Sequence, residues 1–144
     1  MVTRQSGAKW TGSLKEGGGV FKLGTVYEGS YSFPSRFESG DGSNPEELMA
    51  ASHAACYSMA LSAGLGKAGF SPNSVNTVAK VTLDKVGEGF EITQIELVVE
   101  ADIPNITEAQ FMEQANAAKV GCPSSKALVS VKEIKLNAKL LATV

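Results

Sequence analysis

The chain has two thiols, Cys56 and Cys122, sixty-six positions apart. A cysteine reacts as its thiolate, so each has to be weighed by its neighbours. Cys56 lies in His53-Ala54-Ala55-Cys56-Tyr57-Ser58-Met59, an uncharged stretch. There a free cysteine ordinarily serves as a small buried hydrophobe. Buried so, its pKa rises and it is inert; to react it needs a cation nearby and a path to solvent. Cys122 stands in Gly121-Cys122-Pro123-Ser124, between two expected helices. A helix N-terminus close by would favour its thiolate through the dipole. The plainer reading is a loop cysteine with no task. Two cysteines in a chain of 144 residues are no disulfide framework of the kind that holds tiny secreted folds together. They are two buried thiols or a redox pair.

Two charged residues could serve a thiolate. Arg36, in Ser35-Arg36-Phe37-Glu38, follows a proline-bearing strand end. A guanidinium keeps its charge and could stabilise a thiolate, then hold peroxide oxygens as they separate. Glu46 could pin it with a bidentate pair, although Glu46 and Glu47 both also suit the positive end of a helix dipole. Glu46 and Cys56 are ten residues apart, about 15 Å along a continuous helix. They cannot meet within one straight helix. Either Arg36 spans much of that gap, or a partner chain brings its own Glu46 and Arg36 alongside. Other chemistries compete. His53 and Cys56 are three apart on a helix, so with Cys122 they could face one metal ion, although structural zinc wants four ligands. A dimeric binding or stress-related module with spectator cysteines is the non-enzymatic alternative.

The elements that must carry these residues are legible. Asn44-Pro45-Glu46-Glu47 is a helix start: Asn44 caps, Pro45 suits the first position, and Glu47 is spaced to complete a capping box. From Leu48 to Gly66 there is then no Asp, Glu, Lys or Arg. The run is rich in Ala, Ser and Gly with His53 inside it, which argues against a membrane span despite its length. A helix without a charged face is expected to be buried on all sides. One small chain can hardly bury it so, and a two-fold homodimer is the simplest remedy. Before it, AKWTGSL, GVFKLG and TVYEGSYSF read as short strands, with Gly17-Gly18-Gly19 as a turn and Phe37 to Asn44 as a linker. After it, Val75 to Val86 and Phe90 to Ala101 form a hairpin around Gly87-Glu88-Gly89, with Val75, Thr77, Ala79, Val81 and Leu83 on one face and Ile95, Leu97 and Val99 in phase. Thr107 caps an amphipathic helix carrying Phe111, Met112 and Ala115, which ends at Gly121. Cys122-Pro123 begins a short helix, and Val131 to Leu141 reads as a last strand. The fold class is α+β, with antiparallel sheet covering a buried helix.

Composition agrees with one domain over residues 1–144. Apolar residues make up 43% and charged residues 19%, too apolar for a disordered chain. Thirteen basic against fifteen acidic residues, with a pI near 5.4, leave no basic excess for a nucleic-acid partner. Residues 1–10 lack the apolar core of a signal peptide, so the expected location is the cytoplasm.

Taken together, Asn44-Pro45-Glu46-Glu47-Leu48, the run Ala50 to Leu61 around Cys56, Gly121-Cys122-Pro123 and Ser35-Arg36-Phe37-Glu38 resemble the OsmC/Ohr family, and within it the OsmC branch. The resemblance extends from Trp10-Thr11-Gly12 through Ala68-Gly69-Phe70 and Leu83-Asp84-Lys85-Val86 to the last strand. It implies an OsmC-like fold, sheets wrapped around a buried central helix in an intertwined homodimer with sites at the subunit interface. It implies a cysteine-based peroxidase that reduces organic hydroperoxides, with hydrogen peroxide a weaker substrate, and that uses no cofactor or metal. Position by position, Cys56 matches the peroxidatic cysteine and Cys122 the resolving one. Arg36 matches the arginine of the family's T-R-F-E stretch, with Ser35 here in place of Thr, and Glu46 matches the catalytic glutamate. The implied cycle runs through a Cys56 sulfenic acid and a Cys56–Cys122 disulfide, reduced by an external dithiol; in the family's Ohr branch lipoylated proteins fill that role. Phe37, Met49, Tyr57 and Met59 are candidate apolar walls for the alkyl group, against ordinary core packing for each.

Overall fold

Alternation of apolar residues in the second half of the chain builds the layer on which everything else there rests. In the computed structural model, which describes residues 1–142, strands β4 (Ser74–Val86) and β5 (Gly89–Asp102) form the expected hairpin. The preceding elements are β1 (Gly7–Thr11), β2 (Gly18–Leu23), β3 (Tyr27–Tyr31), α1 (Phe33–Phe37) and α2 (Pro45–Lys67); α3 (Glu108–Gly121), α4 (Pro123–Ala127) and β6 (Glu133–Leu140) follow. The single-domain reading ran to residue 144, and its last two residues lie outside those described. The chain divides into two compact units, Met1–Leu48 and Met49–Val144.

The first unit is an antiparallel three-stranded sheet, β1-β2-β3, followed by α1 and the start of α2. The glycine run does not make the expected turn: Gly18 and Gly19 are in β2, and residues 14–16 turn instead. Gly19 is required there because a Cβ would lie 2.3 Å from the Tyr31 ring on the neighbouring strand. The proline-bearing stretch expected to end a strand forms α1. Ser32 caps it, accepting from the Ser35 N–H, while the Ser35 hydroxyl accepts from the Ser32 N–H. Pro34 fits because the first turn needs no N–H from it. The signal missed was a serine capping box, which is less common than the Ser/Thr–Glu form.

In the second unit, β4, β5 and β6 form one sheet in that order. Val75, Thr77, Ala79 and Val81 pair with Ala101, Val99, Leu97 and Ile95, in the predicted phase, up to a register shift between Thr82 and Leu83. β6 differs from the expectation of wholly antiparallel pairing, because it runs parallel to β5. The chain leaves β5 through α3 and α4, and so long a crossover returns it to the end from which β5 began. Ile95, Leu97, Val99 and Ala101 of β5, with Ile103 just after it, pack with Tyr57, Leu61 and Leu65 of α2 and with Phe111, Ala115 and Ala118 of α3. Only one stripe of α2 is buried in the chain. His53, Tyr57, Leu61 and Leu65 recur at helical spacing, while Ala51, Ala55, Met59, Ser62 and Gly66 are exposed. The chain by itself thus leaves the other faces of α2 uncovered, as expected of one small chain.

Truncating Leu97, fully buried at the centre of this layer, leaves a cavity among groups fixed by three elements. Leu97→Ala is expected to lose about 2–5 kcal/mol of unfolding free energy, read from the urea midpoint at unchanged slope.

Candidate active site

Helix α2 brings Cys56 to the junction of α3 and α4. Cys122 is that junction: it ends α3, with its N–H donating to the Ala118 carbonyl at 2.9 Å, and it precedes α4, with its carbonyl accepting from Lys126 N–H at 3.1 Å. Both cysteines are free thiols; Cys122 is fully buried and Cys56 half-buried. Burial works to raise the Cys56 pKa. Hydrogen bonds from the Ser124 hydroxyl, the Cys122 thiol and the Ser124 backbone outweigh it, and Cys56 ends below its ordinary value. Cys122 moves the other way, raised by burial and by its hydrogen bond to Cys56 despite the backbone of Ser125 and Ser124. Of the two thiols, Cys56 is therefore the more readily ionised and Cys122 the one that keeps its proton longer. The expectation that a helix start would favour a Cys122 thiolate is reversed, because the buried side chain of Cys122 is the donor.

Two side chains of α2 flank this junction. The Tyr57 hydroxyl donates to the Ala115 carbonyl at 2.9 Å, and His53 Nε2 lies 2.8 Å from Ser125 Oγ. Both residues are fully buried. Tyr57, considered as a substrate wall, is closed off in the core, and burial with the nearby Cys122 pushes its phenol up. Burial lowers the pKa of His53, leaving the ring neutral at pH 7. For the metal alternative the geometry is unfavourable: His53 already engages Ser125, and among the described residues no group of three His, Cys, Asp or Glu side chains gathers as ligands.

Arg36 and Glu46 meet in the first unit. Arg36 Nη2 donates to Glu46 Oε1 at 2.7 Å and Nε donates to Oε2 at 3.2 Å, the bidentate arrangement the sequence suggested. Glu46 is nearly buried, whereas the arginine keeps about a third of its side chain in solvent. Capping residues set the pair's spacing. Asn44 Oδ1 accepts from the Glu47 N–H at 2.8 Å, starting α2, and its Nδ2 donates to the Ser35 carbonyl in α1 at 3.1 Å. The Ser35 hydroxyl donates to the Ser43 carbonyl at 2.6 Å. Glu47 does not close the expected capping box; its carboxylate accepts from the Ser43 hydroxyl at 2.7 Å. The guanidinium carbon stands 5.2 Å from the centre of the Phe37 ring, which packs against the Phe33 ring at 4.9 Å with a 41° tilt. Of the remaining wall candidates, Met49 is half-buried and Met59 is exposed.

The structure thus unites Cys56 with Cys122, and Arg36 with Glu46. Sequence reasoning missed Ser124 and Ser125, whose signal is their place in the first turn after Cys122-Pro123. Iodoacetamide alkylation mapped by mass spectrometry is expected to modify Cys56 ahead of Cys122 at pH 8, with a Cys56 midpoint below 9.0 and a Cys122 midpoint above it. His53 adds a stability term of definite sign. The unfolded chain takes up its proton near pH 6.5 while the folded ring resists. Stability should be complete above pH 6.5 and decline as pH falls toward the folded pKa, in urea melts of the protein but less so in His53→Gln.

Comparison with known proteins places the chain in a family. The family described as OsmC-like protein matches residues 38–137, a span that includes Glu46, Cys56 and Cys122 and stops short of Arg36. Peroxiredoxin OsmC of Escherichia coli K12 is 45% identical over 141 residues, covering 96% of this chain and 97% of that protein, and its Shigella flexneri counterpart matches equally. An organic hydroperoxide resistance protein from Elizabethkingia anophelis superposes with a TM-score of 0.73 at 27% identity, over 97% of this chain and 99% of the other. The OsmC-like protein of Mycoplasma pneumoniae, at 16% identity and a TM-score of 0.76 over 98% and 99% of the two chains, shares the fold. With residues 38–137 matched and 45% identity to a curated member over 96% of its own length, the chain belongs to the OsmC family.

Proposed function

We infer that the chain is a cysteine-based peroxidase that reduces organic hydroperoxides, and hydrogen peroxide more weakly, to the alcohol or water. The observation that carries this reading is the hydrogen bonding of the buried Cys122 thiol and of Ser124 to half-buried Cys56, which lowers the Cys56 pKa while that of Cys122 is raised. The names of the relatives, a peroxiredoxin and an organic hydroperoxide resistance protein, support it.

In the proposed cycle the Cys56 thiolate attacks the terminal peroxide oxygen. The O–O bond breaks, the sulfur becomes a sulfenic acid, and the alkoxide takes a proton to leave as alcohol. Arg36, held by Glu46, neutralises charge on the departing oxygen. The Cys122 thiol then condenses with the sulfenic acid, forming the disulfide and releasing water. An external dithiol, such as a lipoylated protein, restores both thiols by exchange and is itself oxidised to a disulfide. Such a cycle suits the reducing cytoplasm. Phe37 and Met49, both half-buried, are the wall candidates nearest in sequence to the Arg36–Glu46 pair. The working form is an intertwined homodimer, in which the uncharged exposed face of α2, including Ala55 and Met59, meets its copy. Whether Arg36 serves the Cys56 of its own chain or of the partner then follows from the dimer's geometry.

Peroxide consumption with a dithiol reductant should be faster with cumene hydroperoxide than with hydrogen peroxide and should vanish in Cys56→Ser. Cys122→Ser should accumulate one sulfenic acid per chain. A Cys56→Ser protein as active as the parent would sink the reading and return the thiols to spectators. Sedimentation should give twice 15.0 kDa, and Ala55→Arg should shift it to the monomer; a monomeric parent would remove the dimer.

A further inference from the structure

His53 has no place in the cycle above, yet it is fully buried, and its Nδ1 has no hydrogen-bond partner. A buried polar atom left bare is rare enough to need a reason. Its proton can be placed. A buried N–H without an acceptor is costlier than a bare ring lone pair, so the hydrogen sits on Nε2 and is donated to Ser125 Oγ, 2.8 Å away. Ser125 is the residue next to Ser124, which donates to Cys56 through both its hydroxyl and its backbone. α4 itself is five residues long with no side-chain cap hydrogen bond. So short a turn has little of its own to fix its orientation. His53 and Tyr57, one helical turn apart on α2, grip the chain on either side of Cys122, at Ser125 and Ala115. Cys56 lies between them in sequence.

We propose that His53 is a positioning residue for the Cys56 thiolate: by donating to Ser125 it holds the α4 turn where Ser124 and Cys122 reach the reacting sulfur. The role rests on the peroxidase reading only for its consequence in turnover. Its immediate effect is on the thiolate, which is measurable without peroxide.

The test compares His53→Leu, His53→Gln and Ser125→Ala with the parent. The readouts are the pH midpoint of Cys56 alkylation by iodoacetamide and the consumption of cumene hydroperoxide. His53→Leu and Ser125→Ala should each raise the midpoint by about one pH unit, so that alkylation below it falls roughly tenfold. Glutamine retains an N–H donor and should restore the rate to within about twofold of the parent. The double variant should be no worse than either single one, as expected for two ends of one interaction. A merely structural histidine would lower the melting temperature and leave the midpoint in place. If His53→Leu does not fold, Ser125→Ala, which removes one oxygen, decides alone. An unmoved midpoint in folded Ser125→Ala overturns the proposal, even where peroxide is still consumed. A raised midpoint in a protein whose parent consumes no peroxide upholds the positioning role and overturns the peroxidase reading instead.

Discussion

Two sulfur atoms lie within hydrogen-bonding reach of one another, and the second unit is arranged so that Cys56 gives up its proton more readily than Cys122. The choice is made by unequal surroundings. Cys122 is sealed from water and gives its hydrogen to Cys56, whereas Cys56 keeps an opening to solvent and takes two further donors from Ser124. Neither cysteine could be assigned by its own position: the same burial acts to raise both pKa values, and only the direction of donation separates them. The two thiols are thereby made unlike one another by the fold alone.

The Arg36–Glu46 pair answers to a different constraint. A nearly buried carboxylate would be costly if left alone, and here it is matched by a fork of two N–H donors with the geometry of the carboxylate itself. The arginine keeps part of its surface in water and one aromatic ring beneath it. Such a cation is rigid in direction yet able to receive another oxygen. The local framework is a chain of short-range capping bonds, Ser32 to Ser35, Ser35 to Ser43, and Asn44 to both Ser35 and Glu47.

Much of this was legible in the sequence where the signal is local. Asn44-Pro45 started α2, Thr107 capped α3, and the alternation of Val75 to Val86 and Phe90 to Ala101 gave the hairpin with the right residues facing inward. What was not legible depends on partners distant in the chain. Serines at the start of a one-turn helix carry no pattern that marks them as thiolate donors, and the reversal between the two cysteines follows from contacts between α2 and the junction after α3. The parallel pairing of β6 was hidden because a strand's own residues do not state its direction. The charge-free helix was correctly singled out, but its composition could not say which of its faces its own chain would cover.

That parallel strand has a consequence for how the protein comes into being. β6 can pair with β5 only after α3 and α4 have crossed the face of the sheet, so this is a non-local and late closure. A chain emerging from the ribosome, with α2 and the β4–β5 hairpin already made, lacks Ser124 and Cys122, the groups that draw the Cys56 proton away. The groups that lower the Cys56 pKa thus come with the same crossover that carries the chain to β6, and they reach Cys56 only where α3 and α4 have packed.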